Sequence, residues 1–356
     1  MTLPEAKQQA REKMMPQCRM CKECDGVACR GEVPGMGGKG TGASFIRNVE
    51  ALKNITLHLK TIHDVKDADL TFTLFGQTLS MPVMPAPVTG VNINMGNKMT
   101  EKDYIRGVVK GSEKVGILPM VGDSAFKSFL EDNLSVLQEE NMAGIPFIKP
   151  WNQEELFARI DLAMASNPVA LGVDIDSAGL DTLKIHGHRV DPKSLEELKA
   201  IKSYLTVPFI VKGIMTVEEA MLVVEAGADA IVVSNHGGRV LDHARATISV
   251  LPDIAKAVNG RVPVLADGGI RSGVDVFKFL ALGADAVLIG RPFAQYAIGG
   301  GEEAVELYAK KIAQELKGAM LLSGIKDLQT LKEQGRSALH FEVQIITKLP
   351  VSVLFY

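Results

Sequence analysis

The chain runs for 356 residues without a cysteine after residue 29. A secreted disulfide framework would spread its cysteines through the fold, so that class is excluded. There is no excess of basic residues. The formal charge is −3, which leaves no electrostatic footprint for nucleic acid. No apolar run approaches the roughly 20 residues that a membrane span requires. The first residues, Met1-Thr2-Leu3-Pro4-Glu5-Ala6-Lys7, are polar and charged, unlike a secretory signal, and a cytoplasmic protein is expected. Aromatic residues are scarce at 5%, whereas glycines number 34, a balance that suits many tight strand–helix turns. An early dinucleotide-binding fingerprint is also missing, which argues against an open doubly wound sheet.

The four cysteines lie together, as Cys18, Cys21, Cys24 and Cys29. Clustering in an otherwise cysteine-free chain argues for reduced thiolates that share a metal. The spacing is C-x2-C-x2-C-x4-C, and three cysteines at successive x2 steps resemble the bacterial ferredoxin run. The usual last step there is three residues and then Pro; here it is four, and Arg30 follows. An iron–sulfur cluster is the first expectation. Zinc is the second, although such tight loops would strain a tetrahedral site. Free thiols in a mobile segment are the third. A glycine-rich run follows, from Gly35 to Gly42. It lacks P-loop spacing and no strand precedes it, so it reads as a connector or a loop packed near a ligand. Residues 1–45 are therefore set apart as an N-terminal extension.

From about residue 80 the pattern is regular. Short apolar runs near 83–87, 117–121, 145–149, 168–174, 208–212, 229–234, 262–267 and 285–290 alternate with amphipathic stretches. Eight such units predict a (β/α)8 TIM barrel, an α/β fold, over residues 46–330. Residues 331–356 form a tail that could pack as an added strand or mediate assembly.

A barrel carries its chemistry just after the strand ends. Asp174 ends the fourth strand and Lys212 the fifth. Ser234-Asn235-His236-Gly237-Gly238-Arg239 follows the sixth. His236 can take a proton near neutral pH, and Arg239 can grip a carboxylate through two parallel hydrogen bonds. A base beside an anion clamp suits oxidation of a small acid at the carbon next to its carboxylate. A carboxylate near His236 would fix its tautomer; Asp174 and Asp176 both qualify. Lys212, at the end of a buried strand, needs a partner, either a reduced flavin, a carbonyl substrate or a rim carboxylate. Asp267-Gly268-Gly269-Ile270-Arg271 and Gly290-Arg291-Pro292 follow the last two strands, where two Gly/Arg loops read as a phosphate site.

These residues resemble the FMN-dependent α-hydroxy-acid oxidase and dehydrogenase family, which includes glycolate and lactate oxidases. Ser234 to Arg239, Asp267 to Lys278, Gly290 to Pro292, Val211-Lys212-Gly213-Ile214 and Arg47-Asn48 carry the likeness, over residues 45 to about 328. The resemblance implies FMN as cofactor and a small L-2-hydroxy acid as substrate. His236 would be the base or hydride-transfer partner, Arg239 the carboxylate anchor, and Asp174 the partner of His236. Lys212 would touch the flavin N1–O2 edge. Ala86, Pro87, Val88 and Thr89 would line the flavin. Asp267, Gly269, Arg271, Gly290 and Arg291 would hold the ribityl phosphate. A homotetramer is also implied.

The chain departs from the family where the latter has a substrate-binding Tyr near the N-terminus; here Cys18 to Cys29 stand instead. A second active-site Tyr, after the third strand, is replaced by Lys149 or Pro150. Gly172 stands where the family has Thr. These departures favour a dehydrogenase, with a protein or quinone as electron acceptor, over an oxygen-using oxidase. Two alternatives are an isomerase resembling type 2 isopentenyl diphosphate isomerase, which lacks the His–Arg signature, and a non-catalytic flavin and cysteine redox sensor. An inosine monophosphate dehydrogenase needs a cysteine after the sixth strand, and this chain has none.

Overall fold

The eight apolar runs form eight parallel strands: β1 (Val83–Pro85), β2 (Met120–Gly122), β3 (Ile145–Ile148), β4 (Leu171–Asp174), β5 (Phe209–Ile214), β6 (Ala230–Val233), β7 (Val264–Ala266) and β8 (Ala286–Ile289). The structure is a computed structural model that describes residues 1–342. Helices cover the outer face of the sheet, so the strands read as continuous apolar runs rather than alternating ones. The ladder order is β1-β8-β7-β6-β5-β4-β3-β2, which brings β1 and β2 to the seam of a (β/α)8 barrel. At that seam Gly122 lies against β1's following loop; a Cβ there would sit 2.6 Å from the Pro87 carbonyl oxygen.

The barrel interior is filled by one face of each strand, including Met84, Met120, Phe147, Ile210, Val232, Leu265 and Leu288. A hairpin of Phe72–Leu74 and Gln77–Leu79 adds Leu74 and Leu79 to this core. Side chains alternate with a period of two, so the inward series continues from Phe147 to Lys149, from Gly172 to Asp174 and from Ile210 to Lys212. The register pairs Asp174 directly with Lys212. The inward face is thus apolar at one end of the barrel and charged at the other.

The expected extension is docked onto the barrel. Its helix, Leu3–Met14, buries Ala6, Ala10 and Met14. It lies against the long helix Arg291–Leu321, where a Cβ on Gly299 would meet the Ala6 carbonyl oxygen at 2.1 Å. The expected tail begins within a helix, Leu328–Gln334, and then adds a strand: Leu339–Phe341 pairs antiparallel with Ile55–Leu57. Residues 343–356 lie outside the described part. No helix among the described residues is long and apolar enough to cross a membrane.

Phe147 is fully buried, and its ring occupies the space that Gly172 leaves; a Cβ on Gly172 would lie 2.2 Å from it. Phe147→Ala should therefore lower stability by about 3–5 kcal/mol, measured by denaturant unfolding. A loss under about 1 kcal/mol would show that this interior collapses freely.

Candidate active site

The charged end of the barrel opens into a cleft with about 970 Å³ of empty space. Every barrel residue expected at the site lines it: Ala86, Pro87, Val88, Asp174, Lys212, His236, Arg239, Asp267, Gly269, Arg271, Gly290 and Arg291. Thr89 and Lys149 line it too, and Pro150 does not, so Lys149 is the residue that faces the cleft after β3. The four cysteines line a second, adjoining cavity.

The loop after β6 is held from both sides. Asn48 and Asn235 exchange side-chain hydrogen bonds, Asn48 Nδ2 to Asn235 Oδ1 at 2.8 Å and Asn235 Nδ2 to Asn48 Oδ1 at 3.0 Å. The Gly238 amide also donates to Asn235 Oδ1 at 3.2 Å. The His236 amide donates to Ser234 Oγ, whose hydroxyl donates to Asp267. His236 itself has φ +55, a left-handed backbone that this network stabilises. The imidazole's Nδ1 lies 3.0 Å from Asp176 Oδ1. That corrects the expected pairing with Asp174. The turn after β4 carries Asp176 round to His236, whereas Asp174 points along the barrel axis into two lysines.

Lys149 Nζ is 2.8 Å from Asp174 Oδ2, and Lys212 Nζ is 2.9 Å from Asp174 Oδ1. The second contact is an ion pair without hydrogen-bond alignment, which leaves that oxygen without a hydrogen-bond partner. Burial alone would raise the Asp174 carboxyl, but Lys149 and Lys212 outweigh it and hold the group ionised. Burial alone would likewise lower Lys212, but Asp174, Asp176 and Asp267 keep it protonated. Asp267 is pushed up to about 6 by burial, against the pull of Lys212. For His236, burial and then Lys212 lower the imidazole below its ordinary 6.5, with Asp176 opposing.

Three guanidiniums complete the cleft. Arg239 donates from Nη1 to the carbonyls of Gly35 and Gly37 and from Nη2 to Asn94 Oδ1 at 3.1 Å. Arg291 stacks 3.7 Å over Phe45 and donates to the carbonyls of Met36, Gly37 and Gly237. Arg271 donates to the Cys24 carbonyl oxygen at 3.0 and 3.1 Å. Among the described residues no carboxylate lies within ion-pair distance of any of the three. Burial, with Arg291 as neighbour, lowers Arg239 to about 9; burial lowers Arg291 to about 10. The glycine-rich run is thus a packed loop whose carbonyls face two of these cations.

An FMN fits this donor set. The long helix begins at Gly290 with no side-chain cap, so its first-turn amides face the cleft's end beside Arg291. Gly268 and Gly269 have φ 109 and 84, conformations that favour glycine. Buried oxygens Asp176 Oδ2 and Asp267 Oδ1 have no hydrogen-bond partner among the described residues, leaving acceptors for a ligand's donors. The loop Ala86–Thr89 is fixed by Glu101, which accepts from Thr89 Oγ1 and from the amides of Gly90 and Val91. Glu101, Asn94 and Met36 carry no motif, and only the fold brings them here.

A family of FMN-dependent dehydrogenases matches this chain over residues 35–182 and 176–337. A peroxisomal (S)-2-hydroxyacid oxidase of Arabidopsis thaliana is 30% identical over 78% of this chain and 83% of its own length. An L-lactate dehydrogenase of Xanthomonas campestris is 31% identical over 84% of this chain and 90% of its own. A crystal structure of mandelate oxidase with 3,3-difluoro-2-hydroxy-3-phenylpropionic acid superposes with TM-score 0.75 at 27% identity, covering 96% of this chain and 99% of that one. These relatives support neither the isomerase nor the non-catalytic sensor alternative.

The lowered imidazole generates a pH prediction. As a base His236 would work in its neutral form, so the acid limb of kcat/KM should lie below pH 6.5. Asp176→Asn removes the hydrogen-bonded carboxylate that raises His236. It should move that limb to still lower pH and depress the plateau. A limb that moved upward in the pH–rate profile would show that Asp176 does not act on this imidazole.

Proposed function

The chain belongs to the FMN-dependent dehydrogenase family and is an FMN-dependent oxidoreductase, and we propose that it oxidises a small L-2-hydroxy acid to the 2-oxo acid. The observation that carries this reading is the meeting of His236 and Arg239 on one cleft. The imidazole has one nitrogen tied to a carboxylate, and the buried guanidinium has no carboxylate partner.

FMN supplies the two-electron oxidant. Arg239 holds the substrate carboxylate, since a buried cation with only carbonyl and amide partners gains most from an anion. His236 donates Nδ1–H to Asp176, so Nε2 is free to take a proton from the substrate hydroxyl. The imidazolium that forms is stabilised by Asp176. Lys212, kept protonated by Asp174, offers positive charge to the flavin's N1–O2 edge. Arg271, Arg291 and the first-turn amides of the long helix hold the phosphate. Lys149 adds a second ammonium beside the substrate and distinguishes this site from family members with Tyr there. The acceptor would be a protein or quinone rather than oxygen, and Cys18, Cys21, Cys24 and Cys29 would hold an iron–sulfur cluster that supplies one-electron transfer. A cytoplasmic homotetramer belongs to the same reading.

His236→Ala should retain FMN, seen in its absorption spectrum, yet lose anaerobic flavin reduction by L-lactate or another small 2-hydroxy acid at least about 100-fold. Arg239→Lys should mainly raise KM, because a point charge replaces a bidentate fork. Unchanged reduction rates in the His236 variant would overturn the reading.

A further inference from the structure

We propose that Cys18, Cys21, Cys24 and Cys29 ligate a four-iron iron–sulfur cluster that takes electrons from the flavin cleft. In its redox role the proposal rests on the FMN reading; in its metal content it does not.

All four cysteines line one pocket that opens to solvent, and all four are free thiols. The loop is built around that space. Met20 and Gly26 have φ 47 and 88, and they turn the chain between successive cysteines. A Cβ on Gly26 would meet the Phe45 ring at 2.7 Å, so the turn is seated on that ring. Arg271 holds the Cys24 carbonyl, Arg19 clamps Glu32 with two bonds of 2.6 Å, and the Gly31 amide donates to Gly38 at 2.9 Å. The expectation of a mobile segment does not describe this loop.

The spread of the thiols separates the metals. A zinc ion with bonds of about 2.3 Å draws its four sulfurs to about 3.8 Å from one another. No three of these thiols lie within 4.8 Å of each other; among the described residues that condition is met by Asp174, Asp176 and His236. A cubane, whose thiolates sit on separate irons at its corners, suits the wider spread. It also suits three cysteines at x2 steps plus a fourth. Two side chains already donate toward sulfur: Gln295 Nε2 to Cys18 Sγ at 3.5 Å and Arg271 Nη2 to Cys24 Sγ at 3.5 Å. Such donors stabilise the reduced, more negative cluster.

The site adjoins the active cleft. Met36 and Arg291 line both cavities, and Arg271, on the cleft wall, reaches Cys24. Oxidation of one hydroxy acid delivers two electrons to the flavin and releases two protons. The cluster accepts those electrons one at a time and hands each to a one-electron acceptor protein. Two oxidised acceptors are consumed per substrate.

The test uses the full-length holoprotein, purified anaerobically. About four irons and four acid-labile sulfides per chain are expected, with an electron paramagnetic resonance signal after dithionite reduction. Cys21→Ser and, separately, Cys29→Ser should lose iron and the broad brown absorption while keeping FMN. In these variants flavin reduction by L-lactate should be unchanged. Reoxidation by ferricenium should slow by about tenfold or more. Stoichiometric zinc without iron, or four titratable thiols in metal-free protein, overturns the proposal. So does an iron content unaffected by either substitution. Iron and sulfide without bound FMN would leave the cluster standing and remove the FMN reading; FMN without iron would do the reverse.

Discussion

One buried carboxylate between two buried ammoniums sets the character of this barrel's open end. Asp174 is 1% exposed and meets both Lys149 and Lys212. Removing charges from water is costly, and it is offset only where geometry brings opposite charges into contact. The parallel register supplies that geometry by placing Asp174 across from Lys212. One carboxylate cannot neutralise two lysines and the arginines beyond them. Asp176 and Asp267 lie nearby, but with Asp174 they make three carboxylates against Lys149, Lys212 and the three arginines. The end of the barrel retains an excess of positive charge.

That excess explains how the N-terminal segment is placed. Carbonyl oxygens of Gly35, Met36, Gly37 and Cys24 turn toward Arg239, Arg291 and Arg271. Backbone carbonyls satisfy the hydrogen bonds of a guanidinium without cancelling its charge. An anion therefore still gains by entering. A phosphate at one end of the cleft and a carboxylate at the other would answer the same electrostatic demand. The cysteine loop is tied to the same end because Arg271 holds the Cys24 carbonyl.

His236 obeys a second constraint. A histidine in a buried, positively charged cleft is kept neutral, which is the state that accepts a proton. Asp176 fixes which nitrogen is free, and Asn48 with Asn235 fixes where the loop lies. The asparagine pair joins residues nearly 190 positions apart, so the loop after β6 and the segment before β1 are one mechanical unit.

The sequence alone determined the barrel, because eight apolar runs separated by amphipathic stretches leave few other ways to bury both faces of a parallel sheet. It also determined the site's address, because polar residues at strand ends must gather at one rim. His236, Arg239, Lys212 and the two Gly/Arg loops were legible for that reason. Tertiary structure decided which carboxylate serves His236, since Asp174 and Asp176 differ only in how the turn after β4 directs them. It decided that Lys149 rather than Pro150 faces the cleft, a matter of strand phase. It decided that the glycine run packs against arginines and that the four thiols share a cavity beside the cleft. Spacing along a chain fixes periodicity and local turns; which distant groups meet depends on how the folded layers pack.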